Sequence, residues 1–317
     1  MLKKLLVLAL WLPLCAAAQG FPTKPVRIVL PFGPGGVADI TTRTLAPKLS
    51  EGLGQQVVVE NMPGAGGIRA ADAVAKADPD GHTLLLLTNG NAVSQALFKS
   101  LPYDPLNDFA MISTVGYFSM VIVTGASSKY KTLQDVIAAA KQNPGKLNIG
   151  TITPGGTQHL AGELFRSSAG MDALVVPHKT TGEVIIGVRN GNLDVGVDFM
   201  APLISGIKAG DLRALAVTAG KRQPQLPEVP TAQEAGVKGY DVASWNALAA
   251  PAKTPRAAID RVHRELAKAL TDPEVQKRFA DLGVDGRTST PEQLREFFVS
   301  ESKRWGQVVE SAKIPKQ

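Results

Sequence analysis

The stretch Leu30-Pro31-Phe32-Gly33-Pro34-Gly35-Gly36-Val37-Ala38-Asp39 constrains the fold of this chain more than any other of its length. It follows Val26-Arg27-Ile28-Val29-Leu30, a short apolar run that reads as a buried strand. It precedes an amphipathic helix pattern from Val37 to Leu53, with Ile40, Leu45 and Leu49 on one side. Glycines and prolines therefore fill a turn between a strand and a helix start. Glycine lets backbone approach a ligand with no Cβ in the way, and the helix start offers unpaired N–H groups at a positive dipole end. Such a turn favours an anion, a carboxylate or a phosphate. Taken alone, the stretch fits a tight turn with no ligand equally well.

The same logic recurs downstream. Gln56 to Glu60 reads as a strand, Asn61-Met62-Pro63-Gly64-Ala65-Gly66-Gly67 as a second glycine turn, and Ile68 to Ala77 as a helix. A third strand, Thr83 to Leu87, ends at Thr88-Asn89-Gly90-Asn91 before another helix. Three strand–helix units in a row predict a parallel sheet with helices on its faces, and ligands collect at the carboxyl ends of such strands. Met111 to Val123 is a long extended stretch, read as a crossing between lobes. The pattern then restarts with a helix, Leu133 to Gln142, and a strand, Leu147 to Ile152. Thr153-Pro154-Gly155-Gly156-Thr157-Gln158-His159 leads into a helix from Leu160 to Ala169. After a strand at Val175-Val176-Pro177 come the loop His178 to Glu183 and a helix to Arg189. Leu193 to Val197 is a strand with Asp198 at its carboxyl end, and Leu212 to Thr218 another. Val242 to Leu248 reads as a second crossing, and the remainder as helices at Pro255–Leu270, Pro273–Leu282 and Pro291–Ser311. The expected architecture is α/β, a two-lobe clam-shell with two hinge crossings, closing around a small ligand. Residues 19–121 and 244–317 would form lobe one, and 122–243 lobe two.

Met1-Leu2-Lys3-Lys4, the apolar run to Leu14 and the small residues Ala16-Ala17-Ala18 describe a signal peptide over residues 1–18, cleaved after Ala18. Lipidation at Cys15 is the alternative, against which stands the bulk of Leu14. Export to the periplasm is the expectation. Cleavage removes the one cysteine together with Lys3 and Lys4, so formal net charge falls from +6 to +4. The remaining charges are scattered and not interleaved with aromatics, which speaks against nucleic acid as a partner.

Catalytic signatures are missing: no Gly-x-Ser-x-Gly elbow, no His-Glu-x-x-His, no phosphate loop. His82, His159, His178 and His263 have no metal-ligand spacing, so neither metal nor cofactor is expected. His159 could reach a ligand or cap its own turn. Asp39, in a first helical turn, is accounted for by the helix dipole and Asp198 by a turn, with a ligand role as the other reading of each. One enzymatic alternative stands. Gly33-x-Gly35-x-x-Ala38 fits the dinucleotide fingerprint, with Glu60 where a ribose-binding acid belongs, as in an oxidoreductase.

Several blocks in order carry a family likeness. Lys24 to Gly36, Val57 to Asn61 with Pro63 to Gly67, and Leu101-Pro102-Tyr103-Asp104-Pro105 are among them. So are His159 to Phe165, Ile207 to Gly210, Leu212 to Thr218 and Val229-Pro230-Thr231. The chain resembles Bug-type receptors, the substrate-binding proteins of tripartite tricarboxylate transporters. The resemblance implies a periplasmic-binding-protein-like (type II) fold and a monomeric receptor that captures a small carboxylate and presents it to integral-membrane transporter subunits. It implies that the turns Phe32-Gly33-Pro34-Gly35-Gly36 and Thr153 to Thr157, with Gly155 and Gly156, hold the carboxylate, partly through water. Asp39, Thr88, Asn89, His159, His178, Glu183 and Asp198 complete the expected ligand-binding set. The sequence departs from the family where His178-Lys179-Thr180 replaces Tyr-Lys-Gly, Asp198-Phe199 replaces Asp-Asn, and Asn246-Ala247 follows Ser244-Trp245 in place of Phe-Gly. These positions are expected to read the far end of the ligand, whose identity the sequence leaves open among dicarboxylates, tricarboxylates, aromatic acids and amino acids.

Overall fold

The computed structural model describes residues 20–152 and 155–317, apart from the side chain at position 65. The expected signal peptide lies outside the described residues. The first units are β1 (Val26–Leu30), α1 (Val37–Leu53), β2 (Val57–Asn61), α2 (Ile68–Ala75), β3 (Thr83–Thr88) and α3 (Asn89–Leu97). β1 pairs in parallel with both β2 and β3. Both faces of this sheet are covered, which accounts for the unbroken apolar runs in its strands. Val26, Ile28 and Leu30 meet Leu45 and Leu49 of α1, whereas Val29, Leu85 and Leu87 meet Ala70 and Val74 of α2. Gly54 stops α1 in the left-handed conformation, with φ 74°.

The next strand, β4 (Phe109–Gly125), runs through the whole molecule. It is followed by α4 (Leu133–Gln142), β5 (Leu147–Ile152), α5 (Thr157–Ser168), β6 (Ala173–His178), α6 (Thr181–Asn190), β7 (Val195–Phe199), α7 (Met200–Lys208) and β8 (Leu212–Val217). The chain returns through β9 (Ala243–Pro251) and ends with α8 (Arg256–Thr271), α9 (Pro273–Asp281), β10 (Val284–Gly286) and α10 (Pro291–Ser311). The sheet order is β2-β1-β3-β9-β4-β7-β5-β6, with β10 and β8 also on β4. β4 pairs with β9 as far as Ser119 and with β7 and β8 from Met120 onward. One strand thus belongs to two groups, and the change of partners, between Ser119 and Met120, lies within the predicted crossing. The fold is the two-lobe α/β arrangement. Among the described residues no helix is long and apolar enough to cross a membrane.

Several details differ from expectation. β6 extends to His178 and α6 begins at Thr181, so the predicted loop from His178 to Glu183 shrinks to Lys179 and Thr180. α5 begins at Thr157, before the predicted Leu160, and Pro255 is the N-cap of α8, not its first residue. α7 and β10 were not anticipated. Pro202 disguises α7 in sequence, yet it occupies the third helical position, where an N–H has no intrahelical partner. β10 is three residues long and exists through pairing with Gly116–Phe118, far away in the chain. Finally, Val93 and Leu97 of α3 and Trp305, Val308 and Val309 of α10 pack with Leu160 and Phe165 of α5. Two helices from the chain segments read as lobe one therefore help build the core beneath β5.

Candidate functional site

The turn between β1 and α1 is held open by one carboxylate. Asp39 sits in the first turn of α1 and is 3% exposed. Its Oδ2 accepts the Gly35 N–H at 2.9 Å. Its Oδ1 accepts from Arg43 Nε at 3.0 Å and Asn61 Nδ2 at 2.9 Å. Burial alone would raise this carboxyl; the Gly35 N–H, the Arg43 guanidinium and the Asn61 amide together hold it below the usual value. Asn61 also donates to the Phe32 carbonyl at 3.0 Å. Asp39 is thus occupied in shaping the turn and turns no free oxygen toward a ligand. Gly35 has φ +87°, and a Cβ on Gly33, Gly35 or Gly36 would meet nothing within 4 Å. The turn faces open space, with Pro34 exposed and Phe32 42% exposed at its rim. The first N–H groups after the N-cap Gly36 have no helical acceptor.

The start of α3 adjoins it, because β3 lies beside β1. Thr88 is the N-cap, and its N–H donates to Asn91 Oδ1 at 2.9 Å. Asn89, the first helical residue, is buried and donates from Nδ2 to Thr157 Oγ1 at 3.2 Å. Thr157 opens α5, so this bond joins helix starts from the two strand groups. In the second glycine turn a Cβ on Gly67 would come within 3.2 Å of Pro31 Cβ, so this turn packs against the first at that position.

Gly155, at φ +75°, is buried and packs so that a Cβ would lie 3.2 Å from Leu97. Its N–H donates to His159 Nδ1 at 3.0 Å. His159 caps its own turn. Burial lowers the imidazole below its usual pKa, opposed by Glu163, whose Oε1 is 3.9 Å from Nε2. The ring is therefore neutral near pH 7, and the bond from Gly155 leaves its proton on Nε2. Gly156 is the N-cap of α5, and Thr153 lies outside the described residues.

Asp198 ties the start of α5 to those of α6 and α7. It is fully buried, at 0% exposed. Its Oδ1 accepts from Gln158 Nε2 of α5 at 3.1 Å and from the Phe199 N–H, just before α7, at 2.7 Å. Its Oδ2 pairs with Thr181 Oγ1 of α6 at 2.6 Å. Burial raises this carboxyl, against the pull of those three partners. Asp198 fixes α5, α6 and α7 relative to one another and presents nothing to the cleft itself. Glu183 is likewise engaged locally. Its Oε2 accepts the Lys179 N–H at 3.0 Å, while Thr180 Oγ1, the N-cap of α6, accepts the Glu183 N–H at 3.3 Å. His178 Nδ1 stands 3.8 Å from that carboxylate.

The sequence points to the glycine turns and both aspartates but not to Arg43, Asn61 and Gln158, the side chains that hold the aspartates. Gln158 and Thr181 follow helix starts directly, yet nothing in their spacing points to Asp198. The dinucleotide alternative fails on the same geometry. Glu60 is paired with Arg27 at 3.0 Å, and the Gly35 N–H that a pyrophosphate would need is already bonded to Asp39.

Known proteins share this fold. A family profile described as "Tripartite tricarboxylate transporter family receptor" (TctC) matches residues 41–314. Protein BugT of Bordetella pertussis is 35% identical over 295 residues, 92% of this chain and 90% of that protein. The solved structure of R. palustris Rpa4515 with adipate superposes with a TM-score of 0.82 at 31% identity, covering 94% of this chain and 100% of that one. MatC of Rhodopseudomonas palustris with bound malate gives a TM-score of 0.78 at 30% identity, over 91% of this chain and 100% of its own. None of these relatives supports the oxidoreductase alternative. The two-lobe α/β fold, with this profile across most of its length, means that the chain belongs to the solute-binding receptors of the tripartite tricarboxylate transporter family.

Proposed function

We propose that this receptor captures a small carboxylate between its two lobes and delivers it to the membrane subunits of a tripartite tricarboxylate transporter, without catalysing a reaction. The observation that carries the reading is the junction of helix starts at the cleft. The open Gly33–Gly36 turn of α1 stands beside the start of α3, which is bonded through Asn89 to the start of α5. Such a site supplies neutral N–H donors and positive dipole ends aimed at an anion. Relatives crystallised with adipate and with malate support the ligand class. Residues 19–121 with 244–317 and residues 122–243 act as the lobes, with α10 reaching across both cores. The protein works in the periplasm as a monomer after its leader is removed. Phe32, Gly33, Pro34, Gly36, Thr88, Gly156 and Thr157 line the ligand, whereas Asp39, Gly35, Gly155, His159 and Asp198 shape the turns. The test is thermal stabilisation of the purified mature chain by a carboxylate library, with NAD alongside. A ligand that binds the folded form alone raises stability by mass action. Stabilisation by one or more carboxylates is expected; stabilisation by NAD alone would replace this reading.

A further inference from the structure

The cleft end of β9 carries an amide with no partner. Asn246 is 4% exposed, and its Nδ2 is enclosed without a hydrogen-bond acceptor among the described residues. Its cross-strand neighbours are Thr88, at the carboxyl end of β3, and Gly116 of β4. Alternation along β9 settles the face. Trp245 and Ala247 join the cluster beneath α2 and α10, while Leu248 and Ala250 join the cluster beneath α1, so Asn246 lies on the α1 side. Thr88 leads directly into Asn89, whose Nδ2 is engaged by Thr157 but whose Oδ1 is also enclosed and without a partner among the described residues. An enclosed donor and an enclosed acceptor thus occupy neighbouring positions where β3 ends, next to the open turn of α1.

Folded proteins rarely leave buried polar atoms unpaired, and two at neighbouring positions of the register point to a group that meets both. A carboxylate oxygen only accepts and an ammonium only donates. A hydroxyl does both through one atom. We infer that Asn246 is a specificity-determining residue that selects hydroxylated carboxylates, its Nδ2 donating to the ligand hydroxyl while that hydroxyl donates to Asn89 Oδ1. This rests on the reading of the cleft as a carboxylate site. The helix starts hold the carboxylate, and the Asn246–Asn89 corner reads the substituent. Parting of the lobes breaks the Asn89–Thr157 bond and uncovers the corner for loading. A site built to bond a hydroxyl discriminates strongly against the analogue lacking it, because its own polar atoms are then left unpaired.

Calorimetry on the mature chain with matched acids tests this: malate against succinate, lactate against propionate, and 2-hydroxyadipate against adipate. In wild type the hydroxy acid of at least one pair is expected to bind tenfold or more tightly than its partner. Asn246→Leu, similar in volume but without a donor, should bring that ratio below threefold. Asn246→Ala provides the same comparison should the leucine variant fail to fold by circular dichroism. A smaller wild-type preference in every pair, or a preference that survives in either folded variant, overturns the inference while leaving the carboxylate reading intact. Binding of no acid in any pair overturns both.

Discussion

At the scale of single residues, Asp198 separates burial from hydrogen bonding. Asp198→Ala would remove the common partner of Gln158, Thr181 and the Phe199 N–H. Leaving buried groups unpaired should cost about 1–3 kcal/mol by urea denaturation at neutral pH. Asp198→Asn keeps an acceptor for Gln158 and Phe199 and a donor for Thr181 without burying a charge. Because burial raises the Asp198 carboxyl, its contribution to stability is full below the unfolded value, near pH 4, and is lost as pH rises through the folded one. Asp198→Asn should therefore match or exceed wild type at pH 7, and lose that relative advantage near pH 4. A variant equally destabilised at both pH values would mean that its shape, not its charge, matters. The two neighbouring glycines make a second comparison. The sequence presents Gly35 and Gly36 alike, yet Gly35 has φ +87° and Gly36 φ −77°. Gly36→Ala is conformationally allowed and should cost only about 0.5–1 kcal/mol as a weaker N-cap, while its methyl group weakens carboxylate binding at least tenfold. Undiminished affinity in folded Gly36→Ala would place the ligand elsewhere.

At the scale of elements, helices were legible where caps announce them. α1, α4 and α10 match the sequence reading to the residue, because Gly54, the Thr132/Asp135 box and Thr290-Pro291 with Gln293 mark their ends locally. The start of α5 lies ahead of its sequence signals because its cap is Gly156, which has no side-chain signature, and because its turn is tied from behind by His159. That tie carries a pH dependence. Burial depresses the His159 pKa, so the contribution of the neutral ring is full above the unfolded value, about 6.5, and is lost as pH falls through the lower folded value. Protonation puts a hydrogen on Nδ1, facing the Gly155 N–H that it formerly accepted. Glu163, bonded in turn to Arg166 at 2.9 Å, is the charged neighbour on the same helix. Carboxylate affinity should fall between pH 7.5 and 5, and fall less in His159→Asn, whose amide oxygen accepts at either pH. Titration calorimetry with an acid already ionised throughout that range is the measurement. Parallel pH curves for the two proteins would separate His159 from binding.

At the scale of the whole molecule, what escaped the sequence is what depends on distant partners. The exchange of neighbours along β4, the pairing of β10 and the reach of α3 and α10 into the second core leave no local periodicity to read. Glu301 of α10 shows how such distant parts are fastened. Its side chain is buried, and Oε2 accepts from Trp245 Nε1 of β9 at 3.1 Å and from Trp305 Nε1 at 2.9 Å. Trp245 belongs to the core beneath α2, and Trp305 to the core shared with α5. One carboxylate thereby links the core beneath α2, through Trp245 of β9, to the core shared with α5, through Trp305, with Arg304 Nη1 at 3.4 Å from Oε1. Glu301→Leu should destabilise the protein by about 2–5 kcal/mol, since two buried indole N–H groups lose their acceptor. Glu301→Gln, which retains an acceptor, should lose less than half as much. Coupling can be isolated with Trp305→Phe, which removes one donor at modest cost in volume. In that background Glu301→Leu should cost at least about 1 kcal/mol less than in wild type, as expected for residues sharing one network. Trp11 lies in the expected leader, so Trp245 and Trp305 supply all the indole emission of the mature chain, and urea unfolding followed by fluorescence reads the cycle directly. An additive cycle would mean that the two indoles are placed by packing alone and that Glu301 does not join the cores.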